Sequence, residues 1–171
     1  MLGVLVLLSG CAPALPLDRF AGTRPAFDPV TFFTGHVTSW GVIENRAGAP
    51  SDIVTTDCVG TAEGPDGLRM AQHVTTSGGT TERDWHLRRL APGRFEATAS
   101  DMVGTATGEA RGRVFHWTWV LATTPGQSWR NVTFEQWMYG MDDGAMVNRT
   151  VVTKLGVVLA EVTEQFRHAP R

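Results

Sequence analysis

The chain has 171 residues, a formal net charge of −2 and 42% hydrophobic residues. That length suits a single domain with a real core. Without a basic stripe the chain lacks the clustered Lys and Arg that phosphate binding needs, which excludes a nucleic-acid partner. Thr (21), Val (18) and Gly (19) are abundant, a composition of strands joined by turns.

Residues 1–11, MLGVLVLLSGC, are a short apolar run ending in Leu8-Ser9-Gly10-Cys11. The ending resembles the lipobox of bacterial lipoproteins, in which the cysteine receives diacylglycerol. The run is too short to span a bilayer as a helix and suits the apolar region of a signal peptide. The expectation is a signal peptide over 1–10, a lipidated Cys11, a Pro-rich tether over 11–30 and one barrel domain over 31–171. Ala12 in place of Asp favours the outer membrane, and acyl chains would hold the protein on its periplasmic face. With Cys11 acylated, Cys58 has no disulfide partner and is expected to pack as a small buried hydrophobe. Phe27, Phe32 and Phe33 are expected to plug one end of the domain.

From Thr34 the pattern is strand, turn, strand. Expected strands are 34–44, 52–62, 67–76, 80–90, 94–103, 105–111, 113–123, 128–139, 145–154 and 156–167. Turns such as Gly64-Pro65-Asp66-Gly67, Pro92-Gly93 and Asp143-Gly144 separate them. No stretch carries a 3.6-residue apolar period, so little helix is expected. Alternation groups Leu68, Met70 and Val74; Trp85 and Leu87; Phe95, Ala97 and Ala99; and Phe115, Trp117, Trp119 and Leu121 on shared faces. The fold class is all-β, an antiparallel up-and-down closed barrel of about 8–10 strands. Ala97, Ala99, Gly104 and Ala106 would leave space inside such a barrel if they face inward.

The hairpin around Asp142-Asp143-Gly144 has two possible registers. A two-residue turn sets Trp137 opposite Thr150. A three-residue loop, slightly preferred because Gly can take the left-handed position that ends it, sets Trp137 opposite Arg149 and Glu135 opposite Val151. The second would offer an Arg–Trp contact.

Several fragments resemble one known family. Phe27-Asp28-Pro29 with Phe33 and Gly35, Trp40-Gly41, Arg83-x-Trp85 and Asp101-Met102-Val103-Gly104 are part of the set. Trp137-Met138, Asn148-Arg149 and Lys154-x-Gly156 complete it. Together they resemble DUF3833, bacterial proteins of unknown function that are often lipoproteins, over roughly residues 27–167. The resemblance implies a lipocalin-like barrel and brings no established reaction. Glu135-Gln136 departs from the acidic pair expected before Trp-Met.

A ligand site is expected where aromatic walls (Trp85, Trp117, Trp119 and Trp137) take an apolar body. A polar set of Arg83, Asp101, Glu135, Asn148, Arg149 and Lys154 would pair internally or hold a polar head, with Arg or Lys suited to an anionic one. Asp101 also reads as a turn cap before Gly. The five histidines lack metal spacing; a single-His haem ligand at His86 or His116 is a minor alternative. No metal and no cofactor is expected. No serine sits in a nucleophile elbow. The reading is a lipid-anchored envelope protein whose barrel binds a small apolar or amphipathic ligand without catalysis. The alternatives are a solid barrel acting through its outer surface and, more weakly, a hydrolase or isomerase on a lipid-like substrate.

Overall fold

A computed structural model describes residues 16–124 and 126–170. Ten antiparallel strands form one sheet: β1 (Gly35–Asn45), β2 (Pro50–Glu63), β3 (Gly67–Thr76), β4 (Gly79–Ala91), β5 (Arg94–Ala99), β6 (Ala106–Arg111), β7 (Val114–Leu121), β8 (Val132–Gly140), β9 (Met146–Lys154) and β10 (Val157–His168). Each pairs with its chain neighbours and β10 pairs with β1, so the barrel is closed and up-and-down. Closure leaves no strand edge open to another chain.

The ten strands are those expected from the sequence, with the fifth, seventh and eighth shortened. The fifth stops at Ala99 because the chain turns there, Met102 N donating to Ala99 O and Gly104 adopting a φ of +69°. The eighth starts at Val132 because Ser128–Arg130 winds into a 3-10 turn. The β8–β9 hairpin adopts the three-residue loop: Trp137 is opposite Arg149, Glu135 is opposite Val151, and Gly144 takes a φ of +80°.

Alternation sends one face of each strand into the core, and the expected shared faces turn inward. The small residues of β5 and β6 do a different job from the one expected. Ala97 and Ala106 are buried but line no internal space. They sit beside Gly108, where a Cβ would come within 2.6 Å of the Phe115 ring. Small side chains on β5 and β6 therefore make room for the rings of β7 instead of leaving a void.

The Pro-rich stretch also differs from a free tether. From Leu17 it belongs to the folded body: Phe20 packs edge-on against Tyr139, Phe27 N donates to Gly112 O, and Asp18 pairs with Arg111. A single turn of helix, α1 (Pro29–Phe32), follows, capped by Asp28 accepting from Thr31 N at 3.1 Å. Arg89 donates twice to the same Asp28 carboxylate at 3.0 and 2.7 Å, which ties α1 to β4. Phe27, Phe32 and Phe33 then close one end of the barrel against Phe166, as the sequence led us to expect. Gly60 makes the seat for this plug, since a Cβ there would lie 1.8 Å from Phe33 O. The expected signal peptide and Cys11 lie outside the described residues.

Candidate functional site

Halfway down the barrel, inward residues of β3, β4, β7 and β8 meet. Trp85 lies 5.1 Å from Trp117 and 5.2 Å from Trp119, the second pair nearly perpendicular. A buried indole N–H needs an acceptor, and two glutamines supply them. Gln136 Oε1 accepts from Trp117 Nε1 at 2.8 Å and Trp119 Nε1 at 2.7 Å, while its Nε2 donates to Thr150. Gln72 Oε1 accepts from Trp85 Nε1 at 2.9 Å. Three indole rings are thereby fixed in orientation by two amides.

Arg83 lies over this box, its guanidinium carbon 4.6 Å from the Trp119 ring centre and 5.5 Å from that of Trp85. Its Nε and Nη2 donate to the two carboxylate oxygens of Asp101 at 2.6 and 2.8 Å. That fork matches guanidinium to carboxylate and leaves the pair neutral as a unit. Asp101 reaches it from the β5–β6 turn, and among the described residues its carboxylate bonds Arg83 instead of capping that turn.

Opposite stands Glu164 of β10, buried. Its Oε1 accepts from Ser39 Oγ at 2.8 Å and Thr56 Oγ1 at 2.9 Å. Gly41 faces Glu164 across the β1–β10 pair, and a Cβ there would lie 2.8 Å from the Glu164 side chain. Burial pushes the Glu164 carboxyl above its ordinary range, and hydrogen bonds from Ser39, Thr56 and Asn148 hold it down only in part.

Around these groups the barrel is hollow. A mouth of about 310 Å3, walled by apolar residues including Ile43, Val74, Leu121, Phe134 and Val162, opens at the end away from the plug. A deep chamber of about 60 Å3 lies between the box and the plug, with Pro29, Phe33 and Phe166 as its floor. Gln72, Arg83, Trp119, Gln136 and Glu164 line both spaces and form the waist between them.

A family model described as a protein of unknown function (DUF3833) matches residues 5–168. The chain belongs to the DUF3833 family. No curated protein matches the chain. Among solved structures, the S-type phycobiliprotein lyase CPES from Guillardia theta is similar with a TM-score of 0.63. That similarity covers 86% of this chain and 95% of the lyase at 10% identity. At such identity the likeness is one of fold, and this DUF3833 barrel is lipocalin-like.

The fold brings Arg83, Trp85, Asp101, Trp117, Trp119 and Asn148 together in or beside the cavity of this DUF3833 chain. It does not bring the others. Trp137 and Glu135 are on the outer face, where Trp137 stacks at 4.1 Å on His116 and Glu135 accepts from His116 at 3.0 Å. Arg149 is opposite Trp137 as expected, but its guanidinium turns to Glu161 at 2.6 Å, so the Arg–Trp contact does not form. Lys154 is at the rim, 5.4 Å from the Trp129 ring centre. For Trp137, Glu135 and Arg149 the reason is the two-residue period of a strand, which sends odd positions of β8 and β9 outward, whereas Lys154 has the parity of Asn148 but ends its strand. His116 shares that outer wall, and His86 lies 3.7 Å from Glu63 with its side chain 53% exposed, so neither faces the cavity.

Sequence reasoning missed Gln72, Gln136 and Glu164. The signal was a polar residue in the apolar phase of a strand: Gln72 between Met70 and Val74, Gln136 two before Met138, Glu164 two before Phe166.

Proposed function

We propose that this chain is a lipid-anchored envelope protein of the outer membrane, facing the periplasm, whose barrel takes up a small apolar or amphipathic molecule through its open mouth. The observation that carries the reading is the waist. Three tryptophans, held by amide hydrogen bonds and overlaid by Arg83, wall a space that opens to solvent at one end only. A preorganised aromatic wall with few polar groups is how concave ligand sites are composed, and about 310 Å3 of mouth is near the roughly 300 Å3 at which such sites begin. The likeness to a phycobiliprotein lyase supports a barrel scaffold able to hold a small molecule. Anchoring rests on Cys11 and the apolar run before it.

Among the described residues lining either space, Glu164 is the only carboxylate. A hydrolase built on paired carboxylates therefore draws no support from this cavity. Native mass spectrometry of the Cys11→Ser chain without detergent tests the ligand reading, with a retained small-molecule mass expected. A bare protein mass, with no change on adding envelope extract, would favour the solid barrel. Metabolic labelling with radioactive palmitate is expected to mark the wild type and spare Cys11→Ser; equal labelling would end the anchor.

A further inference from the structure

The deep chamber has an acceptor without a donor. Asn148 is 1% exposed and lines the chamber, yet its Oδ1 has no hydrogen-bond partner among the described residues. Its Nδ2 is engaged, donating to Thr150 Oγ1 at 3.0 Å and reaching Glu164 Oε2 at 3.5 Å. That long contact is the hydrogen bond Oε2 has within the described residues. A buried amide oxygen left bare costs on the order of 1–3 kcal/mol. The donors nearby are committed elsewhere: Ser39 and Thr56 to Glu164 Oε1, the indoles to Gln72 and Gln136. Arg83, the cation that would reward an anionic head, is already matched by Asp101.

Resting on the ligand reading above, we propose that the deep chamber is a subsite for the polar tip of the ligand, and that this tip is an uncharged hydrogen-bond donor, a hydroxyl above all, received by Asn148 Oδ1 beside Glu164. A space of about 60 Å3 admits the tip of a ligand but not a whole drug-sized one, which needs roughly 300 Å3 or more, so the ligand body stays at the waist and in the mouth. An anionic tip would face two acceptor oxygens with no unmatched cation to offset its desolvation. A tip that only accepts would leave Asn148 Oδ1 bare.

Calorimetric titration of the full Cys11→Ser chain with 4-butylphenol, 4-butylacetophenone and 4-butylbenzoate separates the possibilities. The phenol is expected to bind at least 10-fold more tightly than either of the other two, and Asn148→Leu to erase that preference. Tightest binding of the benzoate, or ketone binding equal to that of the phenol, would overturn the donor subsite while leaving the ligand cavity standing. Failure of all three probes to bind would overturn the cavity reading and the subsite with it. The comparison on the unsubstituted site decides the matter even if Asn148→Leu does not fold.

Discussion

Glu164 is the residue on which the interior charge depends, and its stability consequence has a definite sign. Its folded pKa is raised, chiefly by burial, so the folded state holds the proton more firmly than the unfolded chain. The contribution of a raised acid is most favourable below the unfolded pKa, about 4.3 for Glu. It is lost as pH climbs from there through the folded value. Replacing Glu164 by Gln removes the titration and keeps the size of the side chain. Chemical denaturation at several pH values is expected to show Glu164→Gln gaining more over the wild type at pH 8 than at pH 4. A constant difference between the two proteins would refute this.

Cys58 makes the complementary case at the same scale. Burial pushes its thiol up to about 12, and the thiolate is the reactive form. Iodoacetamide at pH 8 is expected to leave Cys58 of the folded Cys11→Ser chain unmodified and to alkylate it within minutes after unfolding in urea.

Among the elements, β7 and β8 carry the box, and Gln136 is the bond between them. One amide oxygen serves two indole N–H groups from β7, so its loss orphans both donors at once. Gln136→Leu keeps the volume and removes the acceptor. At about 1–3 kcal/mol for each of the two orphans, we expect a loss of about 2–6 kcal/mol in urea unfolding, with a changed near-ultraviolet tryptophan signal. Two glycines act on elements too. Gly41 lets β10 lay Glu164 against β1, and Gly60 lets the plug settle on β2, because a Cβ at either would collide with backbone oxygen. Of the residues that resemble DUF3833, Gly41, Arg83, Trp85, Asp101 and Asn148 converge on the cavity, whereas Asp28, Pro29 and Phe33 build its floor. Trp40, Trp137 and Arg149 do neither: their motif partners Gly41, Met138 and Asn148 take the inward phase, and the period of two sends these three to the outer face.

At the scale of the whole molecule, closure by the β1–β10 pair puts the two ends of the barrel chain together, with Val37 opposite His168. The plug gathers at that same end, leaving the five loops at the other end to frame the mouth. The architecture therefore tolerates new ends at the mouth. A circular permutant that joins His168 to Leu17 by a flexible linker and opens at Gly78, an exposed hairpin tip, is expected to keep the wild-type circular dichroism spectrum and cooperative melting. An aggregated or non-cooperative product would show that the order of strands, and not closure alone, is needed for folding.

The sequence by itself determined the ten strands, the plug and which residues of a strand share a face. Those depend on local chemistry: β-branched residues in alternation, Gly and Pro at turns, and a register set by Gly144 in its left-handed position. It also placed Arg83, Trp85, Trp117 and Trp119 on faces that turned out to be shared. Only the tertiary structure decided that Asp101 closes on Arg83, that Glu164 is buried among hydroxyls, and that Asn148 Oδ1 has no partner among the described residues. Those contacts join residues 18 to 125 positions apart, and a pattern of period two reports which side of a strand a residue occupies without saying what lies across the barrel.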